Sequence, residues 1–300
     1  MLKMYHQHDL HGGCPAFWDE WWGKGGLQEG LRFCEVDPLQ PLFARYLRAG
    51  TTMLEGGCGN GQYVAHYMAR GVHVVGLDFT HGVLARLHAY DQKILLCGGD
   101  VSALPFRDSS FDLYYSGGVV EHFEGGAGAA LREARRVLKS NGVLLISVPY
   151  FSPLRHLLLL FRRDWRRVVD SAADPPSENG KRQFFQYAYA PREFKHLLAS
   201  EGLQVVSRKG YSVLWGLRDV AFVDRAMGSW EKYRSGKCRV SLHEGPTETP
   251  VLRANDQSSF RLLLKRLVVS EDSSVPVAGL VVSMLRWVCA NMMMYVCKRF

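Results

Sequence analysis

Three hundred residues, 47% of them hydrophobic, suffice to bury a full core as one domain with insertions. Seven cysteines, odd in number, scattered and without a C-x-x-C pair, argue against a disulfide framework and for a reduced, cytoplasmic setting. The formal charge of +8 is unevenly spread: residues 1–150 carry 13 Lys/Arg against 15 Asp/Glu, residues 151–300 carry 24 against 14. The opening Met-Leu-Lys-Met-Tyr-His-Gln-His lacks the apolar run of a signal peptide. His6, His8, His11 and Cys14 have the chemistry of metal ligands, but crowded polar termini are usually loose, and no metal is expected. Trp18, Trp21 and Trp22 predict a helix packed over the mouth of a ligand site, part of a helical cap over residues 1–50.

The next stretch is the most informative. Met53-Leu54 reads as a strand ending at Glu55, followed by glycines at alternate positions, Gly57, Gly59 and Gly61, and a helix over Gln62–Arg70. Glycine is needed where the backbone takes positive φ or lies directly against a ligand. The helix amides beyond such a turn face an anionic or electron-rich group. The strand His73–Asp78 then places Asp78 where doubly wound proteins hold a ribose. An adenosine-type cofactor follows. The dinucleotide fingerprint G-x-G-x-x-G fails, because from Gly57 and Gly59 its third glycine would fall on Gln62.

Further along come a helix over Gly82–Tyr90, a strand Ile94–Cys97 ending in Gly-Gly-Asp100, and the strand Ser110–Ser116. Gly117-Gly-Val-Val-Glu-His-Phe123 follows it, then a helix Leu131–Lys139, a turn at Asn141-Gly142 and a buried strand Val143–Pro149. Strand-like and helical runs in alternation predict an α/β fold with a parallel sheet and right-handed crossovers. Mostly apolar strands fit a sheet covered on both faces.

Glu55-x-Gly57-x-Gly59-x-Gly61, with the blocks after it in order, resembles motif I and the core of the class I S-adenosylmethionine (AdoMet) methyltransferases, the type 11 group in particular. The resemblance covers residues 50–150 closely and 184–208 loosely. It implies a Rossmann-like, doubly wound sheet of seven strands, mostly parallel with the last antiparallel, and helical insertions forming a lid. It also implies that Glu55 and Gly57 lie along the methionine part of the cofactor and that Asp78 takes both ribose hydroxyls. Phe79 would flank the adenine, Asp100 and the Val101 backbone would read its amino edge, and Ser116 and Gly117 would line the sulfonium pocket. Asp100 could cap a turn instead, though its place at the carboxyl end of a strand favours the ligand role, and Asp112 is expected to anchor backbone at its strand start.

Methyl transfer mainly needs in-line alignment, worth on the order of 7–11 kcal/mol. Where the nucleophile loses a proton, a base must lie within hydrogen-bond reach. His122, whose ordinary pKa is near neutral, is the first candidate and Glu121 the weaker one. The alternative for both is that Glu-His-Phe starts a helix and packs under the cofactor. Ser116-Gly-Gly-Val in place of Asn/Asp-Pro-Pro-Tyr argues against methylation of amino groups on bases.

Beyond residue 150, Leu154–Val168 reads as a basic amphipathic helix: Leu154, Leu157, Leu158, Phe161, Trp165 and Val168 on one face, Arg155, Arg162, Arg163, Arg166 and Arg167 away from it. It predicts a lid within 151–190, able also to rest on an anionic membrane. Phe184–Tyr189, a helix Pro191–Ser200 and a strand Leu203–Ser207 look like the family's return to the sheet, over 191–210. Residues 211–274 give no motif, within a region 211–289 that ends in a helix. Val275–Cys297 is long enough to span a membrane, but Arg286 and Asn291 argue against it. The resemblance divides it into a helix Val277–Cys289 and a final antiparallel strand Met292–Cys297, within 290–300.

The expectation is an AdoMet-dependent methyltransferase acting on an O, C or N atom of a small-molecule or lipid-like acceptor, with nucleic acid a weaker partner. A non-catalytic AdoMet-binding protein and an adenosine-cofactor oxidoreductase are the alternatives.

Overall fold

The computed structural model describes residues 1–6, 14–23, 26–161, 183–220, 271 and 276–300. Its elements in chain order are β1 (Leu2–His6), α1 (Pro15–Gly23), α2 (Leu27–Val36), α3 (Gln40–Tyr46), β2 (Thr52–Gly56), α4 (Gln62–Met68), β3 (His73–Asp78), α5 (His81–Tyr90) and β4 (Leu95–Gly98). There follow β5 (Phe111–Gly117), a 3₁₀ turn (Val120–His122), α6 (Gly128–Val137), β6 (Leu138–Pro149), α7 (Pro153–Phe161) and β7 (Gln183–Ala188). The chain closes with α8 (Pro191–Ser200), β8 (Leu203–Tyr211), α9 (Val213–Arg218), α10 (Pro276–Cys289) and β9 (Met292–Arg299).

Seven strands form one sheet in the order β4-β3-β2-β5-β6-β9-β8. β2 to β6 pair in parallel, and β9 runs antiparallel to both β6 and β8. The expected sheet is therefore present, with its last strand in the interior of the order rather than at an edge. Order reverses between β2 and β5, the switch point at which such sheets bind ligands beyond their carboxyl ends. Apolar side chains fill both faces. On one, Leu131, Ala134, Phe194 and Leu198 pack on Leu54, Tyr114, Ile146 and Tyr295; on the other, Phe43, Tyr63 and Val64 pack on Met53, Leu113, Tyr115 and Leu145.

Several boundaries differ from the sequence reading. The first fifty residues contain a strand as well as three helices: β1 pairs antiparallel with β7 in a separate two-stranded sheet, Leu2 opposite Ala188. Thus residues 184–189 do not rejoin the main sheet as a strand; Tyr189 alone makes a parallel bridge to Tyr150 past the end of β6, its N–H on the Pro149 carbonyl at 2.9 Å and its carbonyl accepting the Phe151 N–H at 3.0 Å. α4 stops at Met68, and α6 stops at Val137 instead of Lys139. Leu138 is fully buried and pairs with Phe111, so the chain enters β6 there and the expected Asn141-Gly142 turn becomes part of a bulged strand. Helix α10 and strand β9 fall where the resemblance divided the C-terminal run, and no described helix is long and apolar enough to cross a membrane.

Arg155 overturns its placement on a solvated basic face. It is 4% exposed, its Nε bonds the Asp219 carboxylate at 2.7 Å, and its remaining nitrogens reach the Tyr150 carbonyl and Asn291. Leu157 and Phe161, expected to face inward, are exposed, Phe161 by 78%. A buried guanidinium with every arm engaged outweighs the loss of two apolar contacts. Arg162, Arg163, Trp165, Arg166, Arg167 and Val168 lie outside the described residues, as do His8, His11 and the side chain of His6.

Candidate active site

The loop after β2 sits at the switch point. Gly57, Gly59 and Gly61 all take positive φ (73°, 49° and 66°), the left-handed region that a side chain disfavours. Space adds a second reason: a Cβ on Gly57 would stand 2.4 Å from Val119 Cγ2, and one on Gly59 2.8 Å from the Trp22 ring. The loop is pinned to the end of β3, with the Gly57 and Cys58 N–H groups on the Leu77 carbonyl and the Gly59 N–H on Asp78 Oδ2 at 2.9 Å.

Asp78 is buried, and its Oδ1 accepts the Thr80 N–H at 2.9 Å. Each oxygen thus spends one lone pair on backbone and keeps another for a ligand hydroxyl, so the carboxylate arrives already oriented. Phe79 beside it is 38% exposed at the strand end. Asp100 is exposed and its Oδ1 accepts the Ser102 N–H at 2.8 Å, the turn-capping task; Val101 next to it is buried.

Glu55, next to last in β2, has its carboxyl buried. One oxygen takes the Val64 N–H, in the first turn of α4, while Oε2 has no hydrogen-bond partner among the described residues. Burial holds this carboxyl well above the usual range; the Val64 N–H opposes the shift and Asp78 adds to it. Ser116 Oγ, near the end of β5, is also buried without a partner among the described residues, and so is Thr80 Oγ1. Gly117 closes β5 beneath the Tyr115 hydroxyl. Orphaned buried polar atoms cost on the order of 1–3 kcal/mol each. Here they stand around a loop stripped of Cβ atoms. That set fits an AdoMet-like ligand, with an acid for an ammonium group and hydroxyl chemistry for a ribose.

The 3₁₀ turn after β5 separates the two candidate bases. His122 Nδ1 lies 2.7 Å from the Phe185 carbonyl oxygen, and the ring packs edge-on to Trp18 and Phe185. A carbonyl only accepts, so Nδ1 carries the hydrogen, and in the neutral imidazole Nε2 is the basic nitrogen. Glu121 points inward instead. Its Oε2 is partnerless among the described residues, and burial pushes its carboxyl up to about 8. The upward push favours its protonated form.

Asp112 plays its expected anchoring part: its carboxylate accepts the Thr52 N–H and hydroxyl at 2.9 and 2.6 Å and pairs with Lys139 at 2.8 Å. Trp22, one of the three tryptophans expected over the mouth of the site, covers Gly59. The sequence reading missed Val119, which covers Gly57, and Asp19 of α1, which sits against Gly82 while pairing with Arg86 of α5 at 2.9 Å.

Residues 54–146 match the family model described as a methyltransferase domain. A malonyl-[acyl-carrier protein] O-methyltransferase of Erwinia billingiae is 37% identical over 100 residues, 33% of this chain and 39% of that protein. A protein of Bos taurus named "Probable tRNA methyltransferase 9B" is 27% identical over 149 residues, 49% of this chain and 30% of that one. The chain spans about two fifths of the length of the first curated relatives it matches. Among solved structures, a chain from the complex of the Haloferax volcanii Trm112 methyltransferase activator superposes with a TM-score of 0.53 at 17% identity, covering 94% of this chain and 97% of that one, a likeness of fold. With their glycine loop and strand order, residues 54–146 form a methyltransferase domain of the class I AdoMet-dependent kind.

Proposed function

We propose that the protein transfers a methyl group from AdoMet to an O, C or N atom of a small-molecule or lipid-like acceptor. The observation that carries this is the pairing of the Cβ-free loop at Gly57 and Gly59 with the partnerless buried atoms Glu55 Oε2 and Ser116 Oγ at the switch point. AdoMet supplies an activated methyl on a sulfonium, so this chain's residues have to hold and align. Glu55 would meet the ammonium group, Asp78 the ribose hydroxyls, and Phe79, Asp100 and Val101 the adenine. Gly57, Gly59 and Gly61 would shape the loop, and Ser116 and Gly117 would border the sulfonium. His122 would accept the acceptor's proton through Nε2, with Glu121 packing beneath it.

For the acceptor side, exposed Leu157, Leu160 and Phe161 on α7 support contact with a lipid-like molecule or an anionic membrane surface at residues 154–168. A cytoplasmic setting with peripheral membrane contact fits this reading.

Calorimetry tests the site. Asp78→Ala should weaken AdoMet binding about 100-fold, since charge-assisted bonds to two hydroxyls contribute on the order of 3 kcal/mol. Unchanged affinity would remove the assignment. AdoMet binding with no methyl transfer to any member of a broad acceptor panel would favour a non-catalytic binding protein instead.

A further inference from the structure

The small sheet of β1 and β7 carries an irregularity opposite the candidate base. Met4 pairs with Gln186 and Tyr5 with Phe184, so the register passes over Phe185, the extra residue of a β-bulge on β7. The effect shows in the core. In a regular strand, residues three apart face opposite ways. Phe184 and Tyr187 are nevertheless both buried in one cluster, their ring centres 4.8 Å apart. Phe185, set between them, turns toward the 3₁₀ turn after β5. Its carbonyl oxygen lies 2.7 Å from His122 Nδ1, and its ring stands 5.0 Å from the imidazole.

A second contact keeps the same step. The Tyr187 hydroxyl donates to the Glu124 carbonyl at 2.9 Å, so residues two apart on β7 hold residues two apart beyond β5. Lys3 of β1, opposite Tyr187, closes over this grip. Its ammonium lies 5.8 Å from the Tyr187 ring centre, 6.0 Å from that of Phe184 and 4.0 Å from the Glu124 carboxylate. A two-stranded sheet is marginal without outside support. Here part of that support is the loop that carries the base.

We propose that the bulge at Phe185 is the positioning device of the base: it aims a main-chain carbonyl at Nδ1, locks His122 as the Nδ1–H tautomer and so keeps the Nε2 lone pair for the acceptor's proton. The inference rests on the reading of His122 as the base of a methyltransferase. Phe185 acts through its main chain, and Lys3 and Tyr187 hold that main chain in place; all three are positioning residues. A neutral imidazole has two nitrogens and one proton, and a fixed acceptor on one of them decides which is basic. The other tautomer would present an N–H where a lone pair is needed. Residues 2–6, remote from the turn in sequence, thus serve the reaction through β7.

Nitrogen NMR of protein labelled with ¹⁵N-histidine reads the tautomer at about pH 9, where an ordinary imidazole is neutral. His122 is assigned by the loss of its signals in His122→Gln. In the wild type Nδ1 should carry the hydrogen and Nε2 should resonate as the bare nitrogen. Deletion of Phe185, which evens the two strands, should shift the tautomer ratio toward Nε2–H by about tenfold, the worth of one hydrogen bond. Tyr187→Phe keeps the shape of the core and only releases Glu124, so it should shift the ratio the same way by about threefold. Phe185→Ala keeps the carbonyl and removes the ring, and should leave the ratio as it was. Hydrogen on Nε2 in the wild type overturns the proposal, and that result needs no variant to fold. An unchanged ratio in Tyr187→Phe or in the folded deletion protein overturns it too, as does a tenfold shift in Phe185→Ala, which would assign the effect to the ring. Calorimetry with S-adenosylhomocysteine on the wild type separates the two readings. No binding would sink the methyltransferase reading, whereas normal binding with the wrong tautomer sinks only the positioning.

Discussion

The two edges of the seven-stranded sheet are built on opposite principles. At the amino edge every named acid has a cation: Asp112 pairs with Lys139 at 2.8 Å, and Arg136 pairs with both Asp108 and Glu133 at 2.7 Å while donating to the Leu104 and Phe106 carbonyls. At the carboxyl edge, Glu55 and Glu121 are buried with an oxygen left over among the described residues, and Asp37 accepts from a phenol and an amide. Their carboxyls are all pushed upward by burial, whereas Asp112 and Glu133 sit below the usual range, held there by hydrogen bonds from Lys139, Thr52 and Arg136 that outweigh desolvation. One edge is finished as structure. The other stores unmet chemistry, which a fold tolerates where a ligand will answer it.

The sharpest way to break this contrast is His122→Ala. Turnover should fall about 10²- to 10⁴-fold with AdoMet affinity kept, and near-normal turnover would take the base away from the carboxyl edge. Next in size is Glu121→Gln. A carboxyl raised to about 8 in the fold contributes stability that is complete below the unfolded value of about 4 and lost as pH climbs through about 8. The variant should therefore gain on the order of 3–5 kcal/mol over wild type at about pH 9 and nothing in acid, read from urea melts across pH. A pH-independent difference would mean the carboxyl is not held neutral.

Glu55 gives a smaller signal of the same kind. A buried acid whose carboxyl is pushed upward loses protonation when it meets an ammonium ion, so AdoMet binding should release a fraction of a proton, visible as a buffer-dependent binding enthalpy. In Glu55→Gln that dependence should disappear. The least effect belongs to the amino edge. Asp112→Asn should cost no more than about 1 kcal/mol, because the pair with Lys139 is partly exposed. Since the Asp112 carboxyl is depressed, that contribution is present above the unfolded value and fades as pH falls through the folded one. A larger cost would show that the amino edge also carries strain.

Much of the carboxyl edge was legible from the chain itself. Alternate glycines with Asp78 one strand later fixed the loop, and all three glycines do take positive φ. Short, local periodicity was enough for that. The missed features depend on partners far away in sequence. β1 exists because residues 183–188 come to lie beside it, and nothing in Leu-Lys-Met-Tyr-His announces that pairing. Arg155 sits on a helix whose period puts it outward, yet Asp219 and Asn291 draw it inside. α6 ends two residues early because Leu138 has a place opposite Phe111.

The placement of β9 has a bearing on how the molecule is made. It is the last described element, yet it lies between β6 and β8, and among the described residues β8 has no other strand beside it in the sheet. As the chain leaves the ribosome, β2 to β6 can assemble around the cofactor loop in their order of synthesis, each next to a strand already present. β8 must wait, edge unpaired, until residues 292–299 emerge and slide in beside it. The newborn protein therefore owns its donor site before it owns a closed sheet, and the interval between the two is when chaperones would find it.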